Sequence, residues 1–282
     1  MSGRGFGAEW SARRARGSRE ERLAWLAFAL ESAAAADDIS RRWFRRDVEV
    51  KAKPDRSLVT AADTEIERLI RERIADRFPA HGVVGEEYGE EHGSAESRWY
   101  LDPIDATANF VRGVPAFGTL IALEVDGELQ VGVVSMPAMG EVWWAGRGLG
   151  AWTRGPDGRQ RSIATSAITG LADTHLLFGE ANQLLHRAPG FAGLLDDVWR
   201  SRGFGDCWMY CLLAEGTAEA VLEADLSAWD LAGPVTIVEE AGGRFTDLTG
   251  SRTIHGRSAV ATNGHLHDVI LERLHRGRSD DG

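Results

Sequence analysis

Cysteine and lysine are both scarce in this chain of 282 residues, which has 2 Cys and whose only lysines are Lys51 and Lys53. Two cysteines cannot build a disulfide scaffold, and Cys207 and Cys211 do not have the CxxC spacing of a redox motif. We therefore expect two reduced helix residues, as in a cytoplasmic protein. No apolar run reaches the roughly 20 residues that a membrane-spanning helix needs, so we expect no membrane partner.

Positive charge is also in deficit, because 32 Lys+Arg stand against 43 Asp+Glu for a net charge of −11. A protein that binds nucleic acid as its main activity usually carries a basic patch, so we expect no nucleic-acid partner. The hydrophobic fraction of 43% is ordinary for a globular protein. The length is enough for one large or two medium domains.

The apolar pattern divides the chain into four parts. We expect a disordered tail over 1–18, an α+β half over 19–160, an α/β half over 161–275 and a second tail over 276–282. The first half would carry most of the candidate site residues, and the second would add the rest. Alternating helix and strand patterns predict a layered α/β protein with two closely packed halves.

Hydrophobic periodicity and turn residues predict the elements around the candidate site. A capping box at Thr60-Ala61-Ala62-Asp63 predicts the start of a helix, and Asp126-Gly127 predicts a hairpin. The GxGxG run over 146–150 lacks the context of a dinucleotide site, so we interpret it as a turn. Other predictions are a helix over 19–46, a loop over 51–57, a strand over 98–101 that stops at Asp102-Pro103, a mostly helical stretch over 183–200 and a helix over 231–241 that follows Asp230.

Acidic residues recur where predicted elements begin or end. They are Asp63, Glu86 and Glu87, Asp102 and Asp105, and Asp230. Each has a structural alternative, because Asp63 and Asp230 suit helix caps, Asp102-Pro103 suits a turn, and Glu86-Glu87 suits a solvated surface. Taken singly, the structural interpretation is favoured at every one of these positions.

The pair Asp102 and Asp105 favours a metal-binding interpretation, because both residues lie in one short segment directly after a hydrophobic strand. Two carboxylates three residues apart, with Pro103 and the Ile104 carbonyl between them, can direct oxygen ligands at one point. Oxygen ligands suit Mg²⁺, whereas a zinc site would ask for Cys or His, and neither residue clusters around this segment. The sequence therefore predicts a Mg²⁺ site, with Mn²⁺ as an alternative.

Three blocks of sequence then show a resemblance to a known family. They are Gly85-Glu86-Glu87, then Asp102-Pro103-Ile104-Asp105-Ala106-Thr107-Ala108-Asn109-Phe110, and then Trp229-Asp230-Leu231-Ala232 with Glu240-Ala241-Gly242-Gly243. In order and spacing the chain resembles the inositol monophosphatase family from about residue 23 to 274. The stretches over 109–115, 205–211 and 213–216 look most like the actinobacterial histidinol-phosphatase branch of that family.

The resemblance implies a fold and an activity. The fold would be a layered αβαβα sandwich of the inositol monophosphatase and fructose-1,6-bisphosphatase type. Members of the family are Mg²⁺-dependent, lithium-sensitive phosphomonoesterases and are commonly homodimers, so we expect a homodimer that acts on a small-molecule phosphate monoester.

The resemblance also implies roles for particular residues, matched motif by motif. Glu86, Asp102 and the Ile104 carbonyl would hold a first metal ion, Asp102, Asp105 and Asp230 a second, and Glu86 would help with a weaker third. Asp63 and Thr107 would orient and help deprotonate the attacking water, and Glu87 would stand behind the ligands or orient water. The backbone N–H groups of Ala106 and Thr107 would bind phosphate oxygens, and Lys53 would lie in a mobile loop near the metals.

The chemistry is consistent with these roles. Anionic phosphate repels a nucleophile, and two metal ions can neutralise that charge, lower the pKa of the attacking water and stabilise the leaving alkoxide. The DxDxT arrangement of aspartyl-phosphate enzymes is absent, so we favour direct attack by water. One departure from the family is Ala106, where relatives usually have Gly; if that position needs a positive φ, the alanine is strained and turnover suffers.

The substrate is less specified than the phosphate end. Glu223, seven residues before Asp230, would face the rest of the substrate and bind either inositol hydroxyls or the amine of histidinol phosphate. Asp206 would add a second anion, Trp208 either a stacking face or a core residue, and Arg202 a further contact. L-Histidinol phosphate is the favoured substrate. The alternatives are an inositol-1-phosphatase or broad sugar-phosphate phosphatase, and a metal-binding regulatory protein with weakened catalysis.

Overall fold

The computed structural model describes residues 15–54 and 57–276. The expected tails over 1–18 and 276–282 lie mostly outside these residues.

The helices are α1 (Arg19–Trp43), α2 (Ala61–Arg77), α3 (Thr107–Val111), α4 (Ala181–Arg187), α5 (Phe191–Asp197), α6 (Asp206–Ala214), α7 (Ala228–Glu240) and α8 (His267–His275). The strands are β1 (Val50–Ala52), β2 (Leu58–Thr60), β3 (Gly82–Gly85), β4 (Gly89–Glu91), β5 (Ser97–Asp105), β6 (Gly118–Val125), β7 (Glu128–Met136), β8 (Glu141–Gly146), β9 (Gly150–Arg154), β10 (Gln160–Ile163), β11 (His175–Phe178), β12 (Arg200–Arg202), β13 (Ala220–Ala224), β14 (Arg244–Thr246) and β15 (Ser258–Thr262).

Two large sheets organise these elements. The first has eight strands in the order β10-β9-β8-β7-β6-β5-β3-β4, and the second has five in the order β12-β11-β13-β15-β14. Pairing is antiparallel except where β3 meets β5 and where β11 meets β12 and β13. Strands β1 and β2 form a separate hairpin.

Three hydrophobic clusters show how the layers stack. Helices α1 and α2 cover one face of the eight-stranded sheet, with Phe28, Ile66 and Trp99 among the buried residues. Helices α6 and α7 lie between the two sheets, with Tyr100, Leu231 and Phe245 in the cluster. Helices α4, α5 and α8 cover the outer face of the second sheet. The layers are therefore α/β/α/β/α, which confirms the expected fold class.

Several element predictions are confirmed. The capping box of Thr60 and Asp63 begins α2, and a tight turn at Asp126 and Gly127 joins β6 to β7. The GxGxG run is a turn between β8 and β9, where the Arg147 side chain contacts Glu239 and Glu240. Cys207 and Cys211 are free, buried residues of α6.

Other boundaries differ from the sequence-based expectations. In the loop expected over 51–57, residues 51 and 52 belong to β1, and residues 55 and 56 lie outside the described part of the chain. The mostly helical stretch expected over 183–200 is two short helices followed by β12. The β-strand β10 spans residue 160 as the edge of the eight-stranded sheet, so the division into halves at that residue stays a prediction. Among the described helices, none is long and apolar enough to cross a membrane.

Candidate functional site

A bulge in β5 brings its two aspartates to one face of the sheet. Side chains three apart on a regular strand point to opposite faces. Here Asp102 pairs with Leu120 and Asp105 with Gly118, so one extra residue on β5 shifts the register between them. The Pro103 carbonyl, inside the bulge, accepts a hydrogen bond of 2.9 Å from the Thr119 hydroxyl. The strand therefore continues past Asp102-Pro103, and the expectation that it stops there was wrong.

Helix α7, in the layer between the two sheets, supplies the third aspartate. Asp230 is the third residue of α7, where its Oδ2 accepts a 2.7 Å hydrogen bond from the N–H of the N-cap, Ser227. Asp230 is thus not the residue before the helix, because the helix begins three residues earlier than its apolar pattern predicts. Gly132 of β7 lets α7 pack closely on the sheet, because a Cβ at that position would lie 2.5 Å from the Gly233 carbonyl oxygen of α7.

The carboxylates of Asp102, Asp105 and Asp230 meet between these layers. One oxygen from each lies within 4.8 Å of the others, which is a grouping that can hold a metal ion. Asp105 Oδ2 also accepts a 2.8 Å hydrogen bond from the Cys207 N–H at the start of α6. Asp102 is 2% exposed and its Oδ1 has no hydrogen-bond partner in the described part of the chain. A buried, unpaired carboxylate oxygen is costly unless a cation binds it, so these residues fit a hard divalent ion.

The turn between β3 and β4 places Glu86 and Glu87 beside this cluster. Lys53, from the end of the β1–β2 hairpin, donates hydrogen bonds of 2.7 Å to Glu86 Oε1 and to Glu87 Oε1. The Ile104 carbonyl, a predicted metal ligand, accepts a 3.0 Å hydrogen bond from the Thr107 hydroxyl. The structure thus brings Lys53 into contact with both glutamates.

Asp63 and Thr107 approach each other from α2 and α3. Asp63 Oδ2 accepts the Thr60 N–H at 2.8 Å and the Thr60 hydroxyl at 2.5 Å, so the capping role is real. The other oxygen of Asp63, Oδ1, lies 3.4 Å from the Thr107 hydroxyl. The Asp63 carboxylate can therefore cap α2 with Oδ2 and still offer Oδ1 to Thr107, its partner in the predicted water-orienting pair.

Burial and mutual repulsion perturb the acids of the cluster. Burial, together with the charges of Glu86, Asp105 and Asp230, raises the pKa of Asp102 well above its usual range. Burial raises the pKa of Asp230 to about 7, although the hydrogen bond from Ser227 opposes the shift. Burial likewise raises the pKa of Asp63 to about 6 and that of Glu87 to about 7. Without a cation, several of these carboxyl groups hold protons near neutral pH.

The fold and the site can now be compared with known proteins. The sequence profile of the inositol monophosphatase family matches residues 21–279. The chain belongs to this family. It is 44% identical to a histidinol-phosphatase of Mycobacterium tuberculosis over 257 residues, which cover 89% of this chain and 98% of that protein. It is 40% identical to a histidinol-phosphatase of Streptomyces coelicolor, covering 89% and 96%. The suhB protein of Bartonella henselae has a similar structure, with a TM-score of 0.82, 28% identity and coverage of 90% and 99%.

The backbone of Ala106, a position where the resemblance implies glycine, is left-handed. The N-cap of α3, Ala106, has φ 63° and ψ 48°. This conformation costs a residue with a Cβ about 1–2 kcal/mol, which glycine avoids. Position 106 therefore does need a positive φ, and the alanine is strained at the turn that leads from Asp105 to Thr107.

We expect Ala106→Gly to raise the free energy of unfolding by about 1 kcal/mol, because it relieves this strain. Phosphate release should be maintained or raised. Ala108→Gly is the matched control, since Ala108 lies inside α3 and the same change there should lower stability by about 1 kcal/mol. Denaturant unfolding measures both variants. A large loss of activity in Ala106→Gly would show that the methyl group is adapted to its pocket.

A second acidic cluster adjoins the three aspartates. Glu223 on β13 is 6% exposed and accepts hydrogen bonds from the Tyr210 hydroxyl at 2.9 Å and the Asp206 N–H at 3.2 Å. Burial and the charge of Asp206 raise the pKa of Glu223 to about 8. Burial and the charge of Glu180 raise the pKa of Asp206 to about 6. The structure thus brings the predicted Glu223 and Asp206 together, and it adds Glu180.

The remaining predicted substrate residues are placed less favourably. Trp208 is partly buried in the central core, and the Phe204 ring stacks on it at 5.1 Å. Arg202 is exposed on the edge strand β12, two strands away from β13, and its Nη1 donates to the Ser201 carbonyl at 2.7 Å. The structure therefore supports a core role for Trp208, and the role of Arg202 stays a prediction.

Two contacts of the site were missed by the sequence-based reasoning. One is the Cys207 N–H on Asp105, for which the sequence carries no signal, because backbone donors look alike. The other is Glu67, which is fully buried and accepts the Glu87 N–H at 2.7 Å and the Tyr88 N–H at 3.1 Å. A signal for Glu67 did exist, since it lies four residues after Asp63 on the same face of α2.

Proposed function

We propose that this protein is a Mg²⁺-dependent phosphomonoesterase that hydrolyses L-histidinol phosphate, a small ester whose leaving group carries a cationic amine. Membership of the inositol monophosphatase family supports a phosphoric monoester hydrolase. The single observation that supports the substrate is the second acidic cluster of Glu180, Asp206 and Glu223. Glu223 accepts the Asp206 N–H, and the next N–H, of Cys207, binds Asp105, so this cluster adjoins the three aspartates. Glu180 follows Gly179, which packs against Glu223. Histidinol phosphate carries its phosphate at one end and an amine and an imidazole at the other, so it matches both clusters.

The proposed roles of the metal-binding residues are those that the family resemblance implies. Glu86, Asp102 and the Ile104 carbonyl would hold one Mg²⁺, Asp102, Asp105 and Asp230 a second, and Glu86 would contribute to a weaker third. When bound, Mg²⁺ neutralises phosphate charge, lowers the pKa of water and stabilises the leaving alkoxide. The unpaired Oδ1 of Asp102 supports this assignment.

The chain's own residues then bind phosphate and handle the proton. The first turn of α3 leaves N–H groups without helical partners, and those of Ala106 and Thr107 hold phosphate oxygens. With the Ile104 carbonyl engaged as a metal ligand, the Thr107 hydroxyl donates to Asp63 Oδ1, 3.4 Å away, and accepts a hydrogen bond from the attacking water. The water oxygen bonds to phosphorus as the ester P–O bond breaks, and one water proton moves through Thr107 to Asp63. The departing alkoxide takes a proton from solvent water, and Asp63 returns its proton to solvent. Lys53 and Glu87 hold the neighbouring turn.

The acidic cluster selects the leaving group by charge. The charges of Asp206 and Glu180 attract an ammonium or imidazolium group, and Glu223 accepts a hydrogen bond from it, whereas neutral inositol offers only hydroxyl donors. The second phosphate of fructose 1,6-bisphosphate is repelled by the same three carboxylates. We therefore expect kcat/KM to fall in the order histidinol phosphate, inositol 1-phosphate, fructose 1,6-bisphosphate.

Phosphate release from these three compounds, with and without Mg²⁺, tests the proposal. Asp206→Asn should lower kcat/KM for histidinol phosphate by about tenfold or more, because a charge-assisted contact is lost, and change inositol 1-phosphate hydrolysis much less. Asp38→Asn is the control, since the Asp38 side chain is 85% exposed. Equal release from all three esters would favour a broad sugar-phosphate phosphatase. Release from none of them would favour the metal-binding regulatory protein.

Three finer properties are part of the same proposal. We expect a homodimer, inhibition by lithium and a cytoplasmic location, as the family resemblance and the reduced cysteines imply. Sedimentation of the purified protein measures the first of these properties directly. The number of bound ions, two or three, can be counted by calorimetry with Mg²⁺ and then with Mn²⁺.

A further inference from the structure

A buried ion pair lies directly behind the turn that carries Glu86 and Glu87. Glu67 and Arg71 are one turn apart on α2, and Arg71 Nε donates a 2.8 Å hydrogen bond to Glu67 Oε1. The Glu67 side chain is fully buried and that of Arg71 is 13% exposed. Neither residue belongs to the grouping of three aspartates.

Glu67 accepts two consecutive backbone N–H groups of this turn. Its Oε2 accepts the Glu87 N–H at 2.7 Å, and its Oε1 accepts the Tyr88 N–H at 3.1 Å. Arg71 also donates through Nη2 to the Gly89 carbonyl, at the far end of the turn. The pair therefore contacts the backbone of three consecutive residues from 87 to 89.

Packing leaves this arrangement little freedom. A Cβ at Gly85 would lie 2.0 Å from Glu67 Oε1, so the start of the turn rests directly on the carboxylate. Gly85 pairs with Gly89 across β3 and β4, which leaves only three residues in the turn between them. With its N–H groups directed at Glu67, the turn presents the Glu86 and Glu87 side chains on the other side, toward Lys53.

We propose that Glu67 and Arg71 act as a positioning pair that fixes the backbone of the Glu86–Glu87 turn for cation binding. This inference rests on the proposed function, because it takes Glu86 to be a Mg²⁺ ligand. Glu67 is a positioning residue and not a ligand, since its oxygens are occupied by Glu87, Tyr88 and Arg71. Helix α2 thereby holds both the water-orienting Asp63 and the support for the metal-binding turn.

Charge-conserving variants separate positioning from a simple electrostatic effect. Glu67→Asp withdraws the carboxylate from the two N–H groups, and Arg71→Lys loses the planar fork that reaches both Glu67 and Gly89. Each variant keeps its charge, so a purely electrostatic role predicts unchanged Mg²⁺ affinity. Positioning predicts a Mg²⁺ Kd raised by about 10–100-fold in both variants, as for other groups that orient metal ligands.

Calorimetric titration of the substrate-free protein with Mg²⁺ measures this affinity, and hydrogen exchange at the Glu87 and Tyr88 amides measures the clamp itself. Both amides should exchange about tenfold faster in the two variants, because a hydrogen bond to a charged group is lost or weakened. At saturating Mg²⁺ most of the turnover should return. The matched controls are Glu72→Asp and Arg68→Lys, an exposed ion pair of 2.7 Å with the same spacing on the same helix.

Unchanged Mg²⁺ affinity in Glu67→Asp and Arg71→Lys would overturn the inference, as would equal losses in the Glu72 and Arg68 controls. Rapid exchange of the two amides in the wild-type protein would overturn it as well. A wild-type protein that bound no Mg²⁺ would overturn the proposed function instead. In that case the exchange measurement would still decide whether Glu67 holds the turn.

Discussion

Asp105→Asn should abolish most activity while leaving the fold intact. The change removes the charge of one of the three clustered aspartates but keeps an oxygen to accept the Cys207 N–H. Metal ions contribute several kcal/mol to such reactions and each 1.4 kcal/mol is about tenfold in rate, so we expect kcat/KM to fall by roughly 10³-fold or more. Phosphate release at several Mg²⁺ concentrations measures the loss.

The same variant should be more stable than the wild-type protein when metal is absent. Burial and the charge of Asp206 raise the pKa of Asp105 well above its usual range, so the ionised carboxylate is a cost to the folded state. Asparagine removes this cost, and thermal unfolding in EDTA at pH 8 should show a higher Tm. The exposed Asp38→Asn should change neither property. Turnover at the wild-type level in Asp105→Asn would mean that the metal site has been misplaced.

Lower activity together with higher metal-free stability in Asp105→Asn would show that this carboxylate serves function at a cost in stability. A residue that only supported packing would lose stability and activity together. A buried carboxylate kept for a cation lowers stability without the cation and supports activity with it. Measuring both properties on one variant therefore distinguishes the two explanations better than activity alone.

Local signals indicated several of the candidate site residues, because those residues lie close together in the sequence. The capping box at Thr60 and Asp63 was visible, and so was the close pair Asp102 and Asp105. The layered fold followed from the family resemblance, and the structure confirms it. What these signals share is that each depends on residues close together in the chain.

The parts that could not be predicted depend on residues far apart in the chain. The bulge that turns Asp102 and Asp105 to one face is a register shift against β6, which no local pattern encodes. The start of α7 is the exception, because its capping box, Ser227 with Asp230, is a local signal that went unused. The contact of Glu67 with the Glu87 N–H spans 20 residues.

Stability of the metal-free protein should fall as pH rises from 6.5 to 8.5. Burial raises the pKa of Glu223 to about 8, and those of Asp230 and Glu87 to about 7, from ordinary values near 4. In this range the folded protein binds more protons than the unfolded chain, in which these acids are already ionised, so the free energy of unfolding decreases with pH. His267 opposes this trend only slightly, because burial lowers its pKa to about 4 in the folded protein and the unfolded imidazole loses its remaining charge just above pH 6.5.

The expected decrease is on the order of 3 kcal/mol, or about 10 °C in Tm. Mg²⁺ binds the deprotonated carboxylates, so its addition should raise Tm much more at pH 8.5 than at pH 6.5. Thermal unfolding at the two pH values, in EDTA and in Mg²⁺, measures all four states. The Asp105→Asn variant should show both a smaller pH effect and a smaller Mg²⁺ effect. A metal-free protein that gains stability with pH and does not respond to Mg²⁺ would contradict the cation site, because buried carboxylates that repel one another need a cation most when all of them are ionised.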